Sequence, residues 1–64
     1  MRRTIEISCE ICVITENAVM IFDGDEEHWI PKQYIEDVED LEVCRGKAVE
    51  VEMAEWIAIK KGLV

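Results

Sequence analysis

Sixty-four residues allow one small domain, and 7 Lys+Arg against 15 Asp+Glu leave it with a net charge of −8 at neutral pH. Half of the residues are apolar and 34% are charged, the balance of a folded chain rather than a disordered one. No apolar run nears the ~18 residues of a bilayer span. The acidic charge disfavours duplex DNA and anionic membranes, and so small a core leaves little room for a catalytic cleft.

The N-terminus, Met1-Arg2-Arg3-Thr4, is basic, but Glu6, Ser8 and Glu10 interrupt any apolar stretch behind it. A secretory leader is therefore not expected, and the expected location is cytoplasmic. Glu is abundant while Asn17 and Gln33 are the only side-chain amides, a thermophile-like composition.

Ile5, Ile7, Cys9, Ile11 and Val13 alternate with Glu6, Ser8, Glu10 and Cys12, which predicts a half-buried strand with the odd residues inward. Glu16-Asn17 supplies a turn, and Ala18–Phe22 reads as a short central strand. Asp23-Gly24 begins a hairpin turn through Glu27. His28-Trp29-Ile30 starts a third strand that Pro31 ends, because proline has no N–H for the ladder. Tyr34-Ile35 is expected to continue extended after Lys32-Gln33. Glu36–Glu42 holds five acids in seven residues and reads as a solvated extended segment or an edge strand.

Arg45-Gly46-Lys47 marks a turn, and the alternation Ala48–Met53 points Val49, Val51 and Met53 inward. Met53, Trp56, Ile57 and Lys60 then stand at helical spacing, with Lys60-Lys61 and Gly62 suited to a helix C-terminus. Two helical turns are not stable alone, so this helix must dock, and Trp56 with Ile57 are the expected anchors. The fold expected is mainly β: a small, partly open barrel of SH3-like type, four to five strands, with the helix plugging one end. A flat antiparallel meander with the helix across one face is the alternative.

Cys9, Cys12, His28 and Cys44 count to the four soft ligands of a structural zinc site. Residues three apart in an uninterrupted strand face opposite ways, however, so Cys9 and Cys12 are not expected to share a metal. No cofactor is expected. Asp23, Asp25 and Glu27 alternate like the start of a calcium loop, but His28 and Tyr34 occupy the positions that need Gly and Glu, so a solvated turn is the simpler reading.

The acidic stretch offers phosphate mimicry as one use and a plain solvated face as the other. Lys32, Arg45, Lys47, Lys60 and Lys61, with Trp29, Tyr34 or Trp56, offer the cations and rings that bind single-stranded nucleic acid. Two tryptophans in so small a domain are more simply core, and both are expected to be largely buried together. No Ser-His-Asp, Cys-His or Gly-rich phosphate-loop pattern is present, and His28 has no evident sequence partner.

Trp29-Ile30-Pro31-Lys32 with Gln33-Tyr34-Ile35, and Glu55-Trp56-Ile57-Ala58 with Lys60-Lys61-Gly62-Leu63, stand in fixed order. Together with Asn17–Asp23 they resemble a pattern in small uncharacterised prokaryotic and phage-encoded proteins, a likeness covering residues 17–64. Gln33-Tyr34 replaces the usual Ser-Gln, Ala54 replaces a helix-opening Pro, and the three cysteines lie outside the pattern. The resemblance implies no defined activity, and it slightly favours an accessory role near DNA metabolism. The physical reading of its motifs is structural: Trp29 packs the barrel, Pro31 breaks the strand, Trp56 docks the helix and Gly62 ends it.

The expected function is a non-enzymatic interaction module that binds a protein or peptide, with homo-oligomerisation open. The expected contact residues are Trp29, Lys32, Tyr34, Arg45, Lys47 and Lys60. The alternative is an accessory nucleic-acid-associated protein, working through a single-strand patch or acidic DNA mimicry.

Overall fold

A computed structural model describes residues 3–64; Met1 and Arg2, which head the basic N-terminus, lie outside the described residues. The fold is mainly β. Strands β1 (Thr4–Ile14), β2 (Ala18–Phe22), β3 (Glu27–Pro31) and β4 (Ala48–Ala54) form one open antiparallel sheet in the order β3-β2-β1-β4, and helix α1 (Glu55–Lys60) follows β4 directly. The barrel is not closed, since β3 and β4 are edges and no ladder joins them.

Two hairpins build three of the strands. Thr15 N–H donates to the Ala18 carbonyl at 2.9 Å, with Glu16-Asn17 between, and the Thr15 hydroxyl reinforces the same closure. In the second turn Asp23 Oδ1 accepts the N–H groups of Asp25 and Glu26, both at 2.7 Å. This side chain holds a loop that Gly24, at φ 103°, turns through the left-handed region.

The inward row of β1 departs from the simple alternation. Ile7, Cys9 and Ile11 are buried, but the register shifts between Ile11 and Val13. Cys12 is the extra residue of a β-bulge, so Val13 turns outward opposite Met20 and Ile14 turns inward opposite Val19. The rest of the core comes from Val19, Ile21, Ile30, Val51, Met53, Ala54, Ile57 and Ala58, with Ile35 and Leu41 at its margin.

Of Tyr34-Ile35, expected to be extended, Tyr34 instead ends a 3-10 helix, Lys32–Tyr34, while Ile35 is extended; most of Glu36–Glu42 lies in a second 3-10 helix, Val38–Cys44, rather than in an extended segment. The acidic stretch therefore coils and buries Leu41 beside the sheet. Between the two helices Ile35 bridges Met53 and the Glu36 N–H donates to the Glu52 carbonyl at 2.9 Å, which covers part of the outer edge of β4.

Helix α1 buries Ile57 and Ala58 against the sheet, while Trp56 stays half-exposed at its side. Its end is a Schellman cap: Leu63 N–H donates to the Ala58 carbonyl at 2.8 Å and Gly62 N–H to the Ile59 carbonyl at 3.0 Å, with Gly62 at φ 75°. Leu63 folds back on the core as that motif requires. No helix among the described residues is long and apolar enough to cross a membrane.

Candidate interaction surface

The expected burial of both tryptophans is corrected by the structure: Trp29 is 46% exposed and Trp56 47%. They also occupy different places. Trp56 sits on α1 and meets Tyr34 edge to face, with ring centroids 4.8 Å apart and planes at 81°. Tyr34 packs on the core, so this contact fastens the helix to the first 3-10 turn. Trp29 lies on β3 opposite Met20, whose neighbours Val19 and Ile21 face the core, so Trp29 stands on the outer face of the sheet. Aliphatic side chains fill the narrow space between sheet and helix, and both indoles are left outside.

Three residues in register form a row across that outer face: Trp29 on β3, Met20 on β2 and Val13 on β1. Val13 is 38% exposed and Met20 is half-buried. Ala18 and Phe22 continue the apolar strip along β2. The β1–β4 half of the same face is acidic, with Glu6 opposite Glu52 and Ser8 opposite Glu50. Like charges directly across a ladder repel and destabilise the pair, so the arrangement is not explained by stability.

β3 is also the free edge. Asp23 N–H to the Glu26 carbonyl at 3.1 Å and Lys32 N–H to the Asn17 carbonyl at 2.9 Å fix the phase of the β2–β3 ladder. Even-numbered residues of β3 thus bond inward to β2, and Glu27, Trp29 and Pro31 turn their backbone groups outward. Pro31 has no N–H to offer. No strand pairs with this edge among the described residues.

The basic residues are distributed over separate segments. Lys32 follows Pro31 at the Asn17 end of the sheet. Arg45 and Lys47 flank Gly46 in the loop that clasps Ile11, whose carbonyl accepts the Gly46 N–H at 2.7 Å. Lys60 lies in the last turn of α1. Among the described residues the ring–ring contact is Tyr34–Trp56, and Trp29 stands apart from that pair.

Cys9 faces the core, and Cys12 sits half-buried in the bulge, where Glu10 and Ile11 separate the two thiols along the strand. Burial, with lesser contributions from Cys12 and Asp23, pushes the Cys9 thiol up to about 11. Desolvation and the carboxylates of Glu10 and Glu27 push Cys12 up as well. Cys44 ends the second 3-10 helix, and all three thiols are free. Among the described residues, no group of three or more His, Cys, Asp or Glu side chains is placed to hold a metal ion.

His28 has a partner that the sequence did not reveal: its Nε2 lies 2.8 Å from Asp23 Oδ2. The backbone N–H of Glu26, the His28 ring and the Asp25 N–H hold the Asp23 carboxyl down at about 2. The pair ties the loop back onto β3. A shallow groove of about 230 Å³ runs beside β4, lined by Glu6, Glu36, Asp37, Asp40, Glu50 and Glu52 over Leu41 and Val51.

Comparisons with protein-family models, with curated proteins and with solved structures return no match. The functional reading therefore rests on this surface and its chemistry.

Proposed function

We propose that the chain is a non-enzymatic protein-interaction module that grips an extended, basic protein segment through the outer face of its sheet. The single observation that carries this reading is the exposed row Trp29–Met20–Val13, held in register across three strands beside an acidic field. A half-exposed indole costs little conformational entropy to order and offers a large apolar contact area. Glutamates next to that strip favour lysine or arginine on the partner and speed its approach. In the same proposal the scaffold is a half-closed SH3-like barrel, with Ile35-Glu36 standing in for a fifth strand against β4.

Titrating 15N-labelled protein with peptides of alternating valine and lysine tests the reading. The Trp29 indole N–H signal should shift saturably while that of Trp56 stays in place. Trp29→Ala should abolish the binding, and replacing the peptide lysines by glutamate should weaken it at least tenfold. Saturable binding of a single-stranded oligonucleotide, with none of the peptide, would replace this reading by a nucleic-acid role.

A further inference from the structure

We propose that the free edge of β3 pairs antiparallel with β3 of a second copy of this chain, about a two-fold axis through Trp29. The inference deepens the interaction-module reading, because it names an occupant for the edge beside the apolar row. Glu27, Trp29 and Pro31 turn their backbone groups outward, so the edge carries two N–H donors, those of Glu27 and Trp29. With Trp29 opposite Trp29, each Trp29 N–H meets the Trp29 carbonyl of the other copy. Each Glu27 N–H meets the carbonyl of Pro31 of the second copy. Every outward donor of the strand is then used, and the missing proline N–H leaves no donor unmatched.

Charge selects this register. It sets Glu26 against Lys32 of the second copy at both ends, giving two opposite-charge pairs in a chain of net charge −8. The slipped register with Glu27 opposite Trp29 keeps four backbone bonds, but it places Lys32 opposite Gly24 and loses both charge pairs. The Trp29-centred register also brings the two indoles together on one outer face, flanked by Met20 from each copy. The result is one continuous eight-stranded sheet with an uninterrupted apolar strip, a closed two-fold contact that cannot propagate into a fibre.

Analytical ultracentrifugation of the full chain at physiological salt, up to ~1 mM protein, together with amide hydrogen exchange, tests the proposal. A monomer–dimer equilibrium is expected, with exchange at Glu27 and Trp29 slowing as concentration rises. Lys32→Glu and Glu26→Lys should each weaken dimerisation at least tenfold, and the double variant Glu26→Lys/Lys32→Glu should restore it to within threefold. Far-UV circular dichroism shows that each variant is folded. A monomer throughout this range overturns the proposal, as does a dimer indifferent to both charge reversals. Neither result touches the peptide reading, which is read from the Trp29 indole signal and can be titrated on the monomeric Glu26→Lys variant.

Discussion

Replacing Ile11 by alanine should destabilise the domain more than replacing either tryptophan. Ile11 is fully buried beside the bulge of β1, between β2 and the loop that leads into β4. Truncation to Ala removes three carbons, worth ~0.8 kcal/mol each in transfer free energy. The unrelaxed cavity raises the total to ~3–4 kcal/mol. A domain of this length commands only ~3–5 kcal/mol in all, so Ile11→Ala should keep at most ~2 kcal/mol, with a urea midpoint close to zero.

Trp29→Ala removes a half-exposed ring whose main neighbour is Met20, a cross-strand contact worth ~0.2–1 kcal/mol. Trp56→Ala loses the edge-to-face contact with Tyr34, ~0.5–1.5 kcal/mol, and some packing besides, for a total of ~1–2 kcal/mol. Urea unfolding followed by far-UV circular dichroism gives all three values on one scale. The native protein should also emit near the wavelength of free tryptophan in water. If Trp29→Ala cost as much as Ile11→Ala, or the native emission were strongly blue-shifted, the all-aliphatic core would be the wrong account.

Three further outcomes follow from local geometry. Asp23 is held at about 2, below its unfolded value of ~4, so its stabilising contribution is present above ~pH 4 and is lost as pH falls toward 2; Asp23→Asn should flatten the melting temperature against pH across that window. Gly62→Ala should cost ~1–2 kcal/mol in thermal unfolding, because φ 75° strains any residue with a Cβ although the space around it is open. A thiol reagent at pH 8 should label Cys44 first, Cys12 more slowly because its thiol is pushed up, and Cys9 only in urea, since Cys9 is buried and its thiol is pushed up to about 11.

The strands were legible because β1 and β4 alternate apolar with polar residues and because breakers stand beside β2, β3 and β4. Pro31 ends β3, and Asp23-Gly24 and Gly46 mark turns. Gly62 ended the helix as its position suggested, because the left-handed backbone there admits little else. The acidic stretch misled because five carboxylates mask the spacing of Val38 and Leu41, and those two residues are what fold it against the sheet. The tryptophans misled through their size, since a large apolar side chain predicts burial only where the core has room for it. The Asp23–His28 contact was hidden because a hairpin, not any local motif, brings residues five apart face to face.

The bulge at Cys12 shows how a conflict legible in sequence becomes a structural feature. Along β1 the inward residues are odd-numbered, Ile7, Cys9 and Ile11, and along β2 they are Val19 and Ile21. The two-residue turn Glu16-Asn17 sets Thr15 opposite Ala18, which pairs odd with even positions all along an unbroken hairpin. Without relief, Ile11 would face Phe22 and the two inward rows would lie on opposite faces. One extra residue absorbs the mismatch: below Cys12 the partners are Ile11 and Ile21, and above it Ile14 and Val19. The same step turns Val13 outward to complete the row with Met20 and Trp29. Deleting Cys12 should therefore keep every one of these partners in a single unbroken ladder. The deletion variant should fold, with cross-strand nuclear Overhauser contacts from Val13 to Met20 and from Ile14 to Val19. Contacts from Ile11 to Phe22 instead, or an unfolded chain, would show that the bulge serves curvature rather than the register of the turn.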